Sequence, residues 1–211
     1  MMEYIQVAPV ACAIFAFTIL TSIWAFYSDN VYARMILHPF SVYRGQRAYT
    51  IVSSGFIHAD IMHLLFNMLS FSFFAFALEP VLGHWQFGVL YFVSLVLSDL
   101  PTVYKHKNDE WYHSLGASGA VSAVIFSYIL YSPVAPLGLM LIPGFQMPAV
   151  LFGALYLIYC NYAAKRAADN INHDAHMFGA LSGLLITLVL HPHVVNGFVN
   201  QISEKVQSWM H

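Results

Sequence analysis

The stretch SLGASGAVSA, from Ser114 to Ala123, sets a serine between small residues at the entrance to an apolar run. A serine hydroxyl becomes a useful nucleophile only when a base takes its proton. The first turn of a helix offers unpaired amides and the positive end of the dipole, which favour a developing oxyanion. Ser118 is therefore a candidate nucleophile for acyl transfer. Two other stretches could serve it. HADIMHLLFN, from His58 to Asn67, sets His63 and Asn67 four residues apart, hence on one helix face. AHMFGALSG, from Ala175 to Gly183, sets His176 ahead of Gly179 and Gly183 on one stripe. The competing account of each is helix–helix packing, with small residues admitting a neighbour and polar ones gluing it.

The elements that must carry these residues are membrane spans. The chain has 211 residues, 59% hydrophobic and only 9% charged, with mean hydropathy +0.65. That excludes an ordinary soluble domain. A net charge of −2 gives no basis for binding nucleic acid. Six apolar runs stand out: Val7–Tyr27, Ile61–Leu78, Trp85–Leu97, Leu115–Tyr131, Met147–Ala164 and Ala175–Leu190. All Asp, Glu, Lys and Arg residues lie outside them, as the cost of charge in hydrocarbon requires. The expected fold is an all-α, six-helix membrane bundle over residues 1–195 with a short amphipathic tail over 196–211. The first run has no basic leader and reads as a retained helix. Cys12 and Cys160 sit in apolar runs and read as inert thiols, with no disulfide.

Between the spans, Ser28–Asp60 is a long aromatic-rich loop, read as functional and lying in the membrane interface. Leu78–Trp85 reads as a tight turn and Ser98–Ser114 as a polar surface loop. Ser132–Gln146, with Pro133, Pro136 and Pro143, cannot stay helical for long.

Depth then sorts the polar residues. In an antiparallel six-span chain, spans two, four and six run the same way. His63 is the third residue of its run, Ser118 the fourth and His176 the second. At ~1.5 Å per residue all three fall within about 5 Å of one membrane face. Asn67 lies one turn deeper. Gly179 and Gly183 on one helix, with Gly116, Gly119 and Ala123 on another, allow close approach. Such packing would bring Ser118 and His176 within hydrogen-bond reach.

GASG around Ser118, the His63–Asn67 pair with the earlier His58, and AHMFGALSG resemble the three signatures of the rhomboid intramembrane serine proteases. Glu79 and Gly83 after the second span match as well. The resemblance implies a Ser–His dyad with Ser118 as nucleophile and His176 as base and later acid. It also implies oxyanion stabilisation by His63, Asn67, Gly116 and the backbone N–H of Ser118. Gly119, Gly179 and Gly183 would be packing residues. The implied substrates are transmembrane or juxtamembrane segments of other membrane proteins, and the implied setting is a bacterial inner or cell membrane. No cofactor or metal is expected. A zinc site from His58, His63, His173 and His176 has no supporting motif. Asp174 reads as a cap of the last span, His173 as a loop residue, and His58 as a structural hydrogen-bonding residue.

Three departures accompany the resemblance. Where relatives carry a tyrosine one turn after the nucleophile, stacked on the catalytic histidine, this chain has Ser122. A bulky neighbour from another span, such as Met177 or Phe178 repacking or an aromatic of the first loop, is expected to fill that space. Where the family's first loop carries a Trp-Arg pair, the chain reads Ala48–Tyr49–Thr50, with Arg44 and Arg47 earlier. Finally, seven of the eight basic residues flank the loops on the Ser118 face. The positive-inside rule would place that face in the cytoplasm; the resemblance places it outside, and the reading follows the resemblance. Two alternatives remain: a catalytically silent relative that binds membrane clients, and a small channel. A channel should continue its polar layer across the bilayer, whereas spans two, four and six turn apolar beyond two turns.

Overall fold

The computed structural model describes residues 2–138, 144, 146–166, 169 and 171–210. Its helices are α1 (Met2–Val7), α2 (Pro9–Phe26), α3 (Asp29–Met35), α4 (Pro39–Tyr43), α5 (Thr50–Ser53), α6 (Ile61–Leu82), α7 (His84–Lys105), α8 (Ser118–Tyr131), α9 (Ala149–Arg166), α10 (His173–Leu190) and α11 (Val194–Met210). Strands β1 (Pro136–Gly138) and β2 (Gln146–Pro148) form a small antiparallel ribbon before α9. Pro143 and the last residue of the tail, His211, lie outside the described residues.

Each of the six apolar runs falls on one long helix: α2, α6, α7, α8, α9 and α10. Among the described residues, α2, α6, α7 and α10 are long and apolar enough to cross a membrane. α8 is apolar but has only 14 residues. α9 has 18 residues and is not in the apolar set; Asn161, Lys165 and Arg166 lie in its second half. The chain is an integral membrane protein built mainly of helices.

α10 packs chiefly on α8 and α7, and α8 also meets α6, so α8 is enclosed on several sides. Its residues from Gly119 to Val124 are all buried. The main core gathers Phe71, Phe87, Tyr91, Leu95, Ala120 and Val124 from α6, α7 and α8. Bulky residues such as Leu20, Trp24, Phe73, Ile158, Leu185 and Val189 are exposed, as a lipid-facing exterior requires.

Three of the expected connections hold helix; the loop read at Ser28–Asp60 carries α3, α4 and α5. The turn read at Leu78–Trp85 shrinks to Gly83 alone, since α6 continues through Pro80 to Leu82 and α7 starts at His84. Gly83 has φ 97°, a left-handed value that glycine adopts without a Cβ clash. The first part of the loop read at Ser98–Ser114 is the end of α7, which runs through Pro101 to Lys105. Tertiary partners override the proline there. Thr102 Oγ1 donates to Asn172 Oδ1 at 3.1 Å, and Lys105 Nζ pairs with Asp174 at 2.5 Å.

The fully buried Glu79 has a definite task. Its carboxylate accepts the amides of Val10 at 3.0 Å and Ala11 at 2.6 Å, and meets His84 Nδ1 at 2.7 Å. Ala8, the N-cap of α2, offers no side-chain acceptor. A carboxylate from α6 therefore caps α2 in its place, with its charge at the positive end of the helix.

Candidate active site

Ser118 is the first residue of α8, and Ala117, its N-cap, supplies no side-chain acceptor. The first helical hydrogen bond runs from Val121 N to Ala117 O at 2.9 Å. The amides of Ser118, Gly119 and Ala120 thus have no carbonyl of the helix to donate to. A helix start left uncapped in a membrane protein, with a half-buried hydroxyl upon it, is a ready anion-binding position.

The long first loop aims this segment. Leu37 exchanges both backbone hydrogen bonds with Ser114, at 3.0 and 3.1 Å. Gly116 N donates to Ser54 O at 3.0 Å, and Ala117 N donates to His58 Nε2 at 3.4 Å. His58 is fully buried. Since Nε2 accepts, Nδ1 carries the proton and donates to Ser22 Oγ at 2.9 Å; Ser22 in turn donates to Phe56 O at 3.1 Å. Burial, assisted by the neighbouring His63 ring, pushes the His58 pKa down to about 3, so it stands neutral. His58 joins α2, the first loop and the entry to α8 in one chain of hydrogen bonds.

The first-loop arginines are also structural. Arg47 Nη2 donates to Ala33 O at 2.5 Å and to Arg34 O and Ile36 O at 3.3 and 3.4 Å, closing the end of α3. Arg44 Nη1 donates to Phe40 O and Lys107 O at 2.9 and 2.7 Å. These two residues do the anchoring that Ala48–Tyr49–Thr50 cannot.

His63 lies against the turn before Ser118. Gly116 has φ 116°, and a Cβ there would fall 2.8 Å from His63 Cε1 and Nε2. Only glycine satisfies both the dihedral and the space. Asn67 is buried one turn below, its Nδ2 donating to His63 O at 3.0 Å.

On the opposite side, α10 meets α8 backbone to backbone. A Cβ at Gly179 would collide with the carbonyl of Gly119, and one at Gly183 with that of Ala123. A Cβ at Gly119 would strike Ser98 Oγ of α7. Any larger residue would push α10, and His176 with it, away from Ser118. His176 is half-buried. Among the described residues no hydrogen bond joins it to Ser118 Oγ.

The space beside Ser122 is filled from an unexpected direction. Tyr156 of α9 places its hydroxyl 2.8 Å from Ser122 Oγ, and its ring lies nearly parallel to His176, at 12° and 6.4 Å between centroids. Neither Met177, Phe178 nor a first-loop aromatic takes this role. One more residue went unread in the sequence. Asn172 caps α10 by accepting Ala175 N at 3.0 Å, and its Nδ2 donates to Thr102 Oγ1 and Ser114 Oγ at 2.9 and 3.1 Å. An asparagine three residues before a helical alanine is a legible N-cap signal. Asp174 is therefore not the cap; it pairs with Lys105. His173 is not a loop residue either. It opens α10, is buried, and meets Asp169 through Nε2 at 3.1 and 3.2 Å. The four histidines weighed for zinc form two pairs: His58 with His63 at 4.9 Å between ring centres, and His173 with His176 at 6.0 Å.

A family model for the rhomboid domain matches residues 45–193. "Presenilin-associated rhomboid-like protein A, mitochondrial" of Danio rerio is 30% identical over 65% of this chain and 36% of its own length. "RHOMBOID-like protein 4" of Arabidopsis thaliana is 26% identical over 76% of this chain and 38% of its own. "Putative rhomboid protease YdcA" of Bacillus subtilis (strain 168) is 30% identical over 66% of this chain and 65% of its own. The chain thus spans between about a third and two thirds of the length of these relatives. With the matched model covering more than half of its residues, the chain belongs to the rhomboid family.

Proposed function

We propose that this chain is an intramembrane serine endopeptidase with six spans, α2, α6, α7, α8, α9 and α10. Its substrates are transmembrane or juxtamembrane segments of other membrane proteins, locally unwound so that a carbonyl is presented. The observation that carries the reading is the uncapped start of α8, with Ser118 upon it, between the His63–Gly116 contact and the glycine seam to α10.

In the reaction, His176 takes the Ser118 proton as Oγ attacks the scissile carbonyl. The resulting oxyanion accepts from the free α8 amides, with the His63 ring and the Asn67 amide as further donors. His176 then passes its proton to the leaving amine, and an acyl-enzyme remains. A water, deprotonated by His176, attacks that ester and restores Ser118. Tyr156 supports the imidazole during these transfers. Arg44 and Arg47 spend their donors on backbone carbonyls, so part of the basic charge on this face serves folding. The reading keeps the site facing outward from a bacterial cell membrane, as the family resemblance implies, against the sign of the basic loops.

A second reading, a silent relative that binds membrane clients, draws on the missing hydrogen bond between Ser118 and His176. Catalytic contacts are often loose in the free enzyme and tighten with substrate. Cleavage of a reporter transmembrane substrate by purified protein in liposomes separates the two. Ser118→Ala and His176→Ala should each abolish product while the thermal midpoint stays near wild type. Cleavage that persists in either variant overturns the dyad.

A further inference from the structure

Around the imidazole assigned to Ser118 stand two side chains, Cys160 and His173, that hydrolysis does not use. Cys160 of α9 and His173 and His176 of α10 each offer one ligand atom, and these atoms lie within 4.8 Å of one another. Cys160 and His173 are buried. His173 Nε2 is engaged by the Asp169 carboxylate, and a carboxylate accepts, so Nε2 carries the proton. Its Nδ1 is thereby a bare acceptor, and it is buried without a partner. A buried acceptor left unsatisfied is costly and calls for an explanation. A histidine held by a carboxylate with its other nitrogen free is how metal-bound histidines are oriented.

We propose that Cys160, His173 and His176 bind a zinc-class divalent ion that withdraws His176 from catalysis. One thiolate and two imidazoles suit Zn²⁺ or Co²⁺ and are wrong for Mg²⁺ or Ca²⁺, which require oxygen. With bonds of about 2.0–2.3 Å, tetrahedral ligand atoms stand roughly 3.5 Å apart. The group closes onto an ion with about 1 Å of side-chain movement. On binding, Cys160 releases its proton to solvent and becomes the thiolate ligand, while both imidazoles bind neutral. Water completes the fourth position. Whichever nitrogen of His176 the ion takes, the other carries the proton, so the ring keeps no lone pair to deprotonate Ser118; hydrolysis stops, and the ion ties α9 to α10. The inhibitory consequence rests on the protease reading above; the binding itself does not.

The test uses the full chain in detergent micelles, stripped with a chelator and titrated with Co²⁺ and then Zn²⁺. Expected are visible d–d bands with a thiolate-to-cobalt charge-transfer band, both displaced by zinc. Cys160→Ala should lose the charge-transfer band, and Asp169→Asn, an exposed position, should bind about 10–100-fold more weakly. In parallel, fluorophosphonate labelling of Ser118 should fall as zinc fills the wild type. It should not fall in Cys160→Ala, each protein being compared with its own metal-free rate. A cobalt spectrum without the charge-transfer band, or one unchanged by Cys160→Ala, overturns the site. The full spectrum with no labelling under any condition keeps the site and overturns the protease reading. Labelling indifferent to zinc at full occupancy overturns the inhibitory role.

Discussion

His63 and Asn67 act, on this account, upon a charge that exists only in the transition state. Their loss should lower kcat more than it raises KM. One donor is worth about 3 kcal/mol, a factor of roughly 10²–10³ in kcat. Steady-state kinetics of His63→Ala and Asn67→Ala on a reporter substrate check this; a change confined to KM would contradict the role. Tyr156 would act through the His176 ring and not on the substrate. Its ring lies along His176 and its hydroxyl is held by Ser122. Tyr156→Ala should cost about a hundredfold in kcat, the scale of a ~1 Å misplacement of a catalytic group. Tyr156→Phe, which keeps the ring, should retain most of the rate. Equal losses in the two variants would transfer the role from the ring to the hydroxyl. Ser118, His63, Asn67 and His176 stand out as candidates in the sequence because each motif is local, with a glycine or a one-turn partner beside it. Tyr156 could not, because its meeting with Ser122 depends on how α9 leans on α8.

Among the elements, α2 is the most exposed to a single change. Its N-terminal amides are satisfied by Glu79 of α6, which is fully buried. Glu79→Ala strands those amides and His84 together. It should destabilise the protein by about 2–4 kcal/mol. Thermal unfolding in micelles measures this; an unchanged midpoint would mean that water replaces the carboxylate. The α8–α10 seam is as intolerant, since Gly179 and Gly183 stand against backbone carbonyls. The helices that carry the six apolar runs were legible in order from their hydropathy. Their ends were not, and α7 shows why. Pro101 and the polar residues after Leu97 carry the signal of a loop, yet Thr102 and Lys105 find partners on Asn172 and Asp174. Those partners are distant in sequence, so no local pattern announces them.

For the whole molecule, stability should depend on acid through His58, which joins α2, the first loop and the start of α8. Its folded pKa, about 3, lies below the ordinary value of 6.5. Above pH ~6.5 it is neutral both folded and unfolded, and its contribution is complete. Between about 6.5 and 3 the unfolded chain binds a proton that the folded chain refuses, so stability falls as pH falls. His58→Gln should flatten that part of a thermal-midpoint profile; an identical slope would place the acid sensitivity elsewhere. On the proposed reading, this architecture serves to keep the Ser118 hydroxyl at an open helix start within reach of His176, inside a membrane. That claim is tested most directly by treating the protein in liposomes with a fluorophosphonate and locating the adduct by peptide mass spectrometry. The account predicts an adduct on Ser118 in the wild type, and its near-complete loss in His176→Ala. No adduct on Ser118 in the metal-free wild type, or equal labelling in both proteins, would contradict it.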